Sequence, residues 1–228
     1  MKSKLTYPIL FLFGVLLSGC GIPSVHPLYE PDDLIQHKEI TGVWSSDDEE
    51  ELFYVFSYND LNNNSENLPE RLFKSDDDST SDFTVTLEDV KIDLKEEIEE
   101  GYENLYYIIQ SINGKTEDIY YAGLVQLDSQ YFIDLYRTRI DENGFRFPTH
   151  IFTKLEIETD KLILHEFREE FVKELIRNQQ IRIKHEQARD NFLLTASSKD
   201  LKKFILKYGR EPDAYGEKYT YNRVKETI

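Results

Sequence analysis

A chain of 228 residues carries 44 acids against 27 lysines and arginines, a formal charge of -17, and a single cysteine. So acidic a surface repels phosphate backbones and argues against nucleic acid as a partner. One cysteine permits no internal disulfide, so stability must come from packing, for which 15 tyrosines and 14 phenylalanines supply apolar area. At the N-terminus Lys2 and Lys4 precede an apolar run, Leu5 to Leu17, broken only by Thr6, Pro8 and Gly14. That run is shorter than the ~18 apolar residues that span a bilayer, and small residues follow it, the pattern of a secretory signal.

The stretch Leu17-Ser18-Gly19-Cys20 resembles the lipobox of bacterial lipoproteins. The resemblance implies that residues 1–19 are a signal peptide and that Cys20 becomes the first mature residue, acylated with palmitate-type chains. Removing residues 1–19 deletes two lysines and no acid, which moves the charge from -17 to -19. More than one acyl chain at one site holds a protein stably on a membrane. The lipid bilayer is therefore the first expected partner, and the cell envelope the expected location. Gly21 in place of an aspartate after the cysteine resembles outer-membrane sorting in a Gram-negative host.

Residues 20–39 read as an extended tether, because Pro23, Pro27 and Pro31 recur every four residues. A single β-rich domain is expected over 40–209, opening at Gly42-Val43-Trp44, and Glu51 to Tyr58 reads as a strand. Within it, 59–100 reads as a polar insertion, with a strand and a short helix over 83–100. The centre reads as an antiparallel meander: 104–112, the turn Asn113-Gly114, 117–127, the turn Asp128-Ser129, and 131–137. A further hairpin is predicted over 147–158 and 161–167. Apolar stripes predict one helix through Phe167, Phe171, Val172, Leu175 and Ile176, and another through Leu201, Phe204, Ile205 and Tyr208. The second has Ser197 as N-cap and Gly209 as its stop. Gln180 to His185 is predicted to return as a strand, and 210–228 to be a loose tail. The fold class is therefore mainly β with some α: an antiparallel barrel or sandwich with two C-terminal amphipathic helices.

Gly42-Val43-Trp44 resembles the opening strand of the lipocalins and calycins, where the indole closes the barrel floor. Further pieces resemble, in order, a set of uncharacterised bacterial lipoproteins: Cys20, His26-Pro27-Leu28-Tyr29, Gly42-Val43-Trp44, Gly123-Leu124-Val125, Phe132-Ile133-Asp134-Leu135, His150-Ile151-Phe152 and Leu193-Leu194-Thr195-Ala196-Ser197. They imply a secreted, lipocalin-like β domain and assign no activity.

Few side chains offer chemistry. Asp134 lies mid-strand on the face shared by Phe132 and Tyr136, and His150 lies mid-strand beside Phe152. If their strands are neighbours, the two can meet, either as a base-catalytic dyad or as a satisfied polar pair. No Gly-x-Ser-x-Gly or His-Glu-x-x-His motif adds a nucleophile or a metal. Asp60-Leu61-Asn62-Asn63-Asn64 begins like a calcium loop, but Ser65 replaces the turn glycine and Arg71 the bidentate glutamate. No metal site or cofactor is expected. Tyr107, Tyr121, Tyr131 and Tyr136 can line a cup for an apolar ligand, and with Asp134 and His150 most of them form the candidate binding set. Tyr106 and Tyr120 lie on the opposite face, so at least one of the two tyrosine sets is expected to be exposed. The expected function is a non-catalytic interaction module contacting an envelope protein, with a lipocalin-like carrier as the alternative and a hydrolase using Asp134 and His150 as a third reading.

Overall fold

The computed structural model describes residues 21–47, 51–58, 101–113, 115–137, 149–189 and 191–224. Cys20 and its lipobox, the 59–100 insertion and Gly114 of the expected Asn-Gly turn lie outside the described residues.

Among the described residues eleven strands form one sheet: β1 (Pro23–Ser24), β2 (Gly42–Ser45), β3 (Glu51–Ser57), β4 (Tyr106–Ile112), β5 (Lys115–Leu127), β6 (Gln130–Arg137), β7 (His150–Ile157), β8 (Lys161–Phe167), β9 (His185–Ala188), β10 (Asn191–Leu194) and β11 (Tyr215–Arg223). Strands β2 to β8 each pair antiparallel with the next, and β11 joins β8 back to β2. The result is a closed eight-stranded antiparallel barrel. Closure satisfies both edges of every aromatic strand in the ring, which an open sheet of this composition would leave exposed.

One apolar cluster takes residues from all eight barrel strands: Trp44, Val55, Ile108, Leu124, Ile133, Leu155, Leu162 and Tyr221 among them. In a closed ring only the interior brings all strands together, so this face is the inside. The hairpin turns follow from backbone chemistry. Asp128 (φ 48°) and Ser129 (φ 63°) both take the left-handed conformation that a two-residue turn between Leu127 and Gln130 requires, and Asn113 sits at φ 52°.

Helices α1 (Glu169–Arg177) and α2 (Ser198–Tyr208) lay their apolar stripes on the outer wall, over Phe132, Phe152 and Phe167. Ser197 caps α2, its hydroxyl accepting from the Asp200 amide. Gly209 is the C-cap of that helix, as expected, and lack of room for a side chain is what requires glycine there. Its φ of -66° is available to any residue, but a Cβ there would lie 2.7 Å from the Ile205 carbonyl oxygen and 3.2 Å from Phe132.

Three segments differ from expectation. Gln180 to His185 is not a strand: Gln180 and Ile181 both spend their amides on Leu175 O, closing the C-terminus of α1, and the strand begins at His185. Residues 215–223 are not a loose tail but β11, a full barrel stave. Its inward Tyr219 and Tyr221 alternate with outward Lys218, Thr220 and Asn222, and the polar half disguises it. Residues 21–35 do not hang free as a tether. The prolines do keep them extended, but Ile22, Leu28, Tyr29 and Leu34 are buried against the barrel's outer wall.

Candidate functional site

The closed end of the barrel is built around Trp44. Its indole Nε1 donates to Ile40 O at 2.8 Å, and the Arg223 guanidinium lies over the ring, 4.1 Å from its centroid. Arg223 in turn donates to the carbonyls of Thr41 (3.0 Å), Thr159 (3.2 Å) and Glu39. The preceding turn, Lys38–Ile40, drops Ile40 into the interior as a plug, and His37 N–H donates to the Tyr106 hydroxyl. This explains the glycine of Gly42-Val43-Trp44. Gly42 sits at φ 129°, and a Cβ there would lie 2.7 Å from Arg223 Nη1. Nothing local in the sequence pointed to Arg223, some 180 residues away.

Toward the other end the interior turns polar. Asp118 is bound in two-pronged fashion by Arg137, the Tyr120 hydroxyl donates to Gln110 Oε1 (3.1 Å), and Gln110 donates to Glu51. Burial, then the charge of Asp118, push the Tyr120 phenol far above its ordinary value. Phe53, Leu135, Leu164 and Tyr219 are only half-buried here, whereas from its middle to its floor the barrel is filled: Ile108, Ala122, Leu124 and Trp44 are at most 7% exposed.

Glu166 stands at this end, where burial and the neighbouring Glu217 raise its carboxyl from 4.5 to about 7. Tyr219 lies within hydrogen-bond reach of both carboxylates. The folded state therefore holds this proton more tightly than the unfolded chain does. Stability from this group is full below pH 4.5 and is lost as pH rises to about 7. Glu166→Gln is expected to flatten that part of the melting-temperature profile relative to the parent and to melt higher above pH 7; parallel profiles for the two proteins would refute this.

Asp134 and His150 do meet. Tyr136 lies opposite His150 and Asp134 opposite Phe152 on adjacent strands, and His150 Nδ1 sits 2.8 Å from Asp134 Oδ1. Their face is the outer wall, not the interior. Asp134 is nonetheless 1% exposed, because residues 28–29 cover it. The Leu28 amide donates to Asp134 Oδ2 at 2.6 Å, so both carboxylate oxygens are engaged. Tyr29 packs edge-on to His150 at 6.3 Å, and Tyr136 lies 4.9 Å from it. Burial, followed by the Asp134 charge, drives the Tyr29 phenol well above its ordinary value. The pair thus fastens the N-terminal segment to the wall, helped by Ile35 N donating to Leu124 O and by Lys202 of α2 reaching Glu30 and Asp33.

Gly123, directly opposite Asp134 in β5, provides the space for Tyr29. A Cβ there would lie 2.3 Å from the ring. Gly123→Ala should therefore cost about 2 kcal/mol through forced repacking, and far less in a Tyr29→Ala background. A thermal-denaturation double-mutant cycle without that coupling would contradict the packing account.

The tyrosine cup is corrected. Tyr107 and Tyr121 lie on the outer wall with Ile109, Tyr54 and Tyr136, while Tyr106, Tyr120 and Tyr131 face inward. Neither of the two opposed sets is exposed, since Tyr106, Tyr107, Tyr120 and Tyr121 are all buried. Both faces of β4 and β5 are covered, which alternation alone does not reveal. Among the described residues no three His, Cys, Asp or Glu converge as a metal site, and no helix is long and apolar enough to cross a membrane. Compared with protein-family models, curated proteins and solved structures, the chain matches none.

Proposed function

We propose that the chain is a lipid-anchored, non-catalytic interaction module of the cell envelope, held on the bilayer through acylated Cys20 and contacting another protein through its outer surface. The packed interior carries this reading. A barrel whose interior, from middle to floor, is taken by its own Ile108, Ala122, Leu124 and Trp44 offers its outside, not its inside, to partners. The Asp134–His150 pair supports the same view, since Leu28 and His150 occupy both carboxylate oxygens and Tyr29 lies over the pair. A base-catalytic dyad needs a cleft beside the imidazole, and aromatic rings fill that side.

A lipocalin-like carrier is the second reading. It is favoured by the closed eight-stranded barrel with its tryptophan floor and by the half-buried Phe53, Leu135 and Leu164 at the opposite end. The experiment joins palmitate labelling with cross-linking in the native host. The parent should incorporate label and capture a protein, and Cys20→Ser should lose the label. Label retained by Cys20→Ser would end the anchoring reading. Native mass spectrometry showing a co-purified apolar molecule, with no protein captured, would replace the module by the carrier.

A further inference from the structure

We propose that β9 and the basic rim beside it form the docking surface for an extended acidic segment of a partner protein. This deepens the interaction-module reading and rests on it. Strand β9 ends the eleven-stranded sheet, and among the described residues it pairs with β10 alone. Beside it a groove of about 200 Å³ runs between α1 and the β9–β10 hairpin, with Ile176 and Phe192 as its apolar lining and Glu170, Lys173, Arg177 and His185 around them. His185 stacks on Phe192 at 5.2 Å, and Lys173 lies over the same ring.

The charge here runs against the rest of the molecule. Residues 177–190 hold Arg177, Arg182, Lys184 and Arg189 against Glu186 and Asp190, a local +2 in a chain of -17. Arg182, Lys184 and Arg189 are exposed and make no ion pair among the described residues, whereas Arg177 is held by Glu170. An open strand edge supplies main-chain hydrogen bonds to an added strand, and an adjacent groove accepts its side chains. Like charge deters the same edge of a second copy, so the surface selects an acidic strand. Its concavity beside an open strand edge fits an extended peptide better than a flat headgroup layer.

The test uses the full chain and a fluorescent peptide of alternating glutamate and valine. Controls replace glutamate by lysine, or place proline at alternate positions to block strand pairing. Binding should weaken with salt, slow amide exchange across 185–188, and fall about ten-fold or more in Arg182→Glu/Lys184→Glu/Arg189→Glu. Unshifted Trp44 emission verifies that the triple variant is folded, and Gln187→Pro, which leaves every charge in place, should also weaken binding. No binding, equal binding of the lysine peptide, binding untouched by charge reversal, or attachment to phosphatidylglycerol vesicles in place of the peptide would each overturn the proposal. The two readings fail separately. Envelope cross-links that persist in the triple variant sink this surface and leave the module, whereas peptide binding with no envelope protein captured sinks the module and leaves the surface.

Discussion

Asp134→Ala should destabilise the protein by about 3 kcal/mol in urea denaturation and release the N-terminal segment. The carboxylate is buried and accepts from two donors, the Leu28 amide and His150 Nδ1. Deleting it leaves a buried amide and an imidazole without their acceptor, and breaking such a pair costs more than its net contribution. Asp134→Asn keeps one carbonyl oxygen for Leu28 and loses the charge-assisted contact, so about half the effect is expected. Amide exchange localises the loss: protection at Leu28 should fall well before that of the barrel strands. A stable Asp134→Ala protein with Leu28 still protected would mean that Ile22, Tyr29 and Leu34 hold the segment unaided.

Arg223→Ala should cost about 2–3 kcal/mol and open the barrel floor. The substitution removes the cation over the indole and three donor contacts to the carbonyls of Glu39, Thr41 and Thr159. Trp44 is the chain's only tryptophan, so intrinsic emission reports this site without interference. A red shift is expected as water reaches the ring, with the Lys38–Ile40 turn loosened. Arg223→Lys should recover only part of the loss, because an ammonium cannot reproduce the planar fork. Unchanged emission together with unchanged stability would show that Ile40 and the indole close the floor alone.

Much of the fold was legible in the sequence because the signals are local. Period-two alternation marked β4 to β8, two-residue turns set the register of β5 with β6 and of β7 with β8, and Ser197 marked the start of α2. The Asp134–His150 encounter was legible only as a condition on strand pairing, which β6 and β7 meet, although His150 opens its strand where a mid-strand place was expected. What escaped depends on distant surfaces. Residues 21–35 carry prolines that predict extension, but nothing in them names the wall that Gly123 leaves open for Tyr29. Strand β11 reads as polar because half its side chains face out, and only the gap between β8 and β2 makes a strand of it.

The sequence by itself determined a β-rich, acidic, disulfide-free body with two amphipathic helices, since composition and short-range periodicity decide those. Tertiary structure alone decided that the sheet closes, that Tyr106 faces in while Tyr107 faces out, and that Arg223 covers Trp44. Alternation separates the two faces of a strand but cannot say which is the interior. That assignment comes only when the first and last staves meet and enclose one of them.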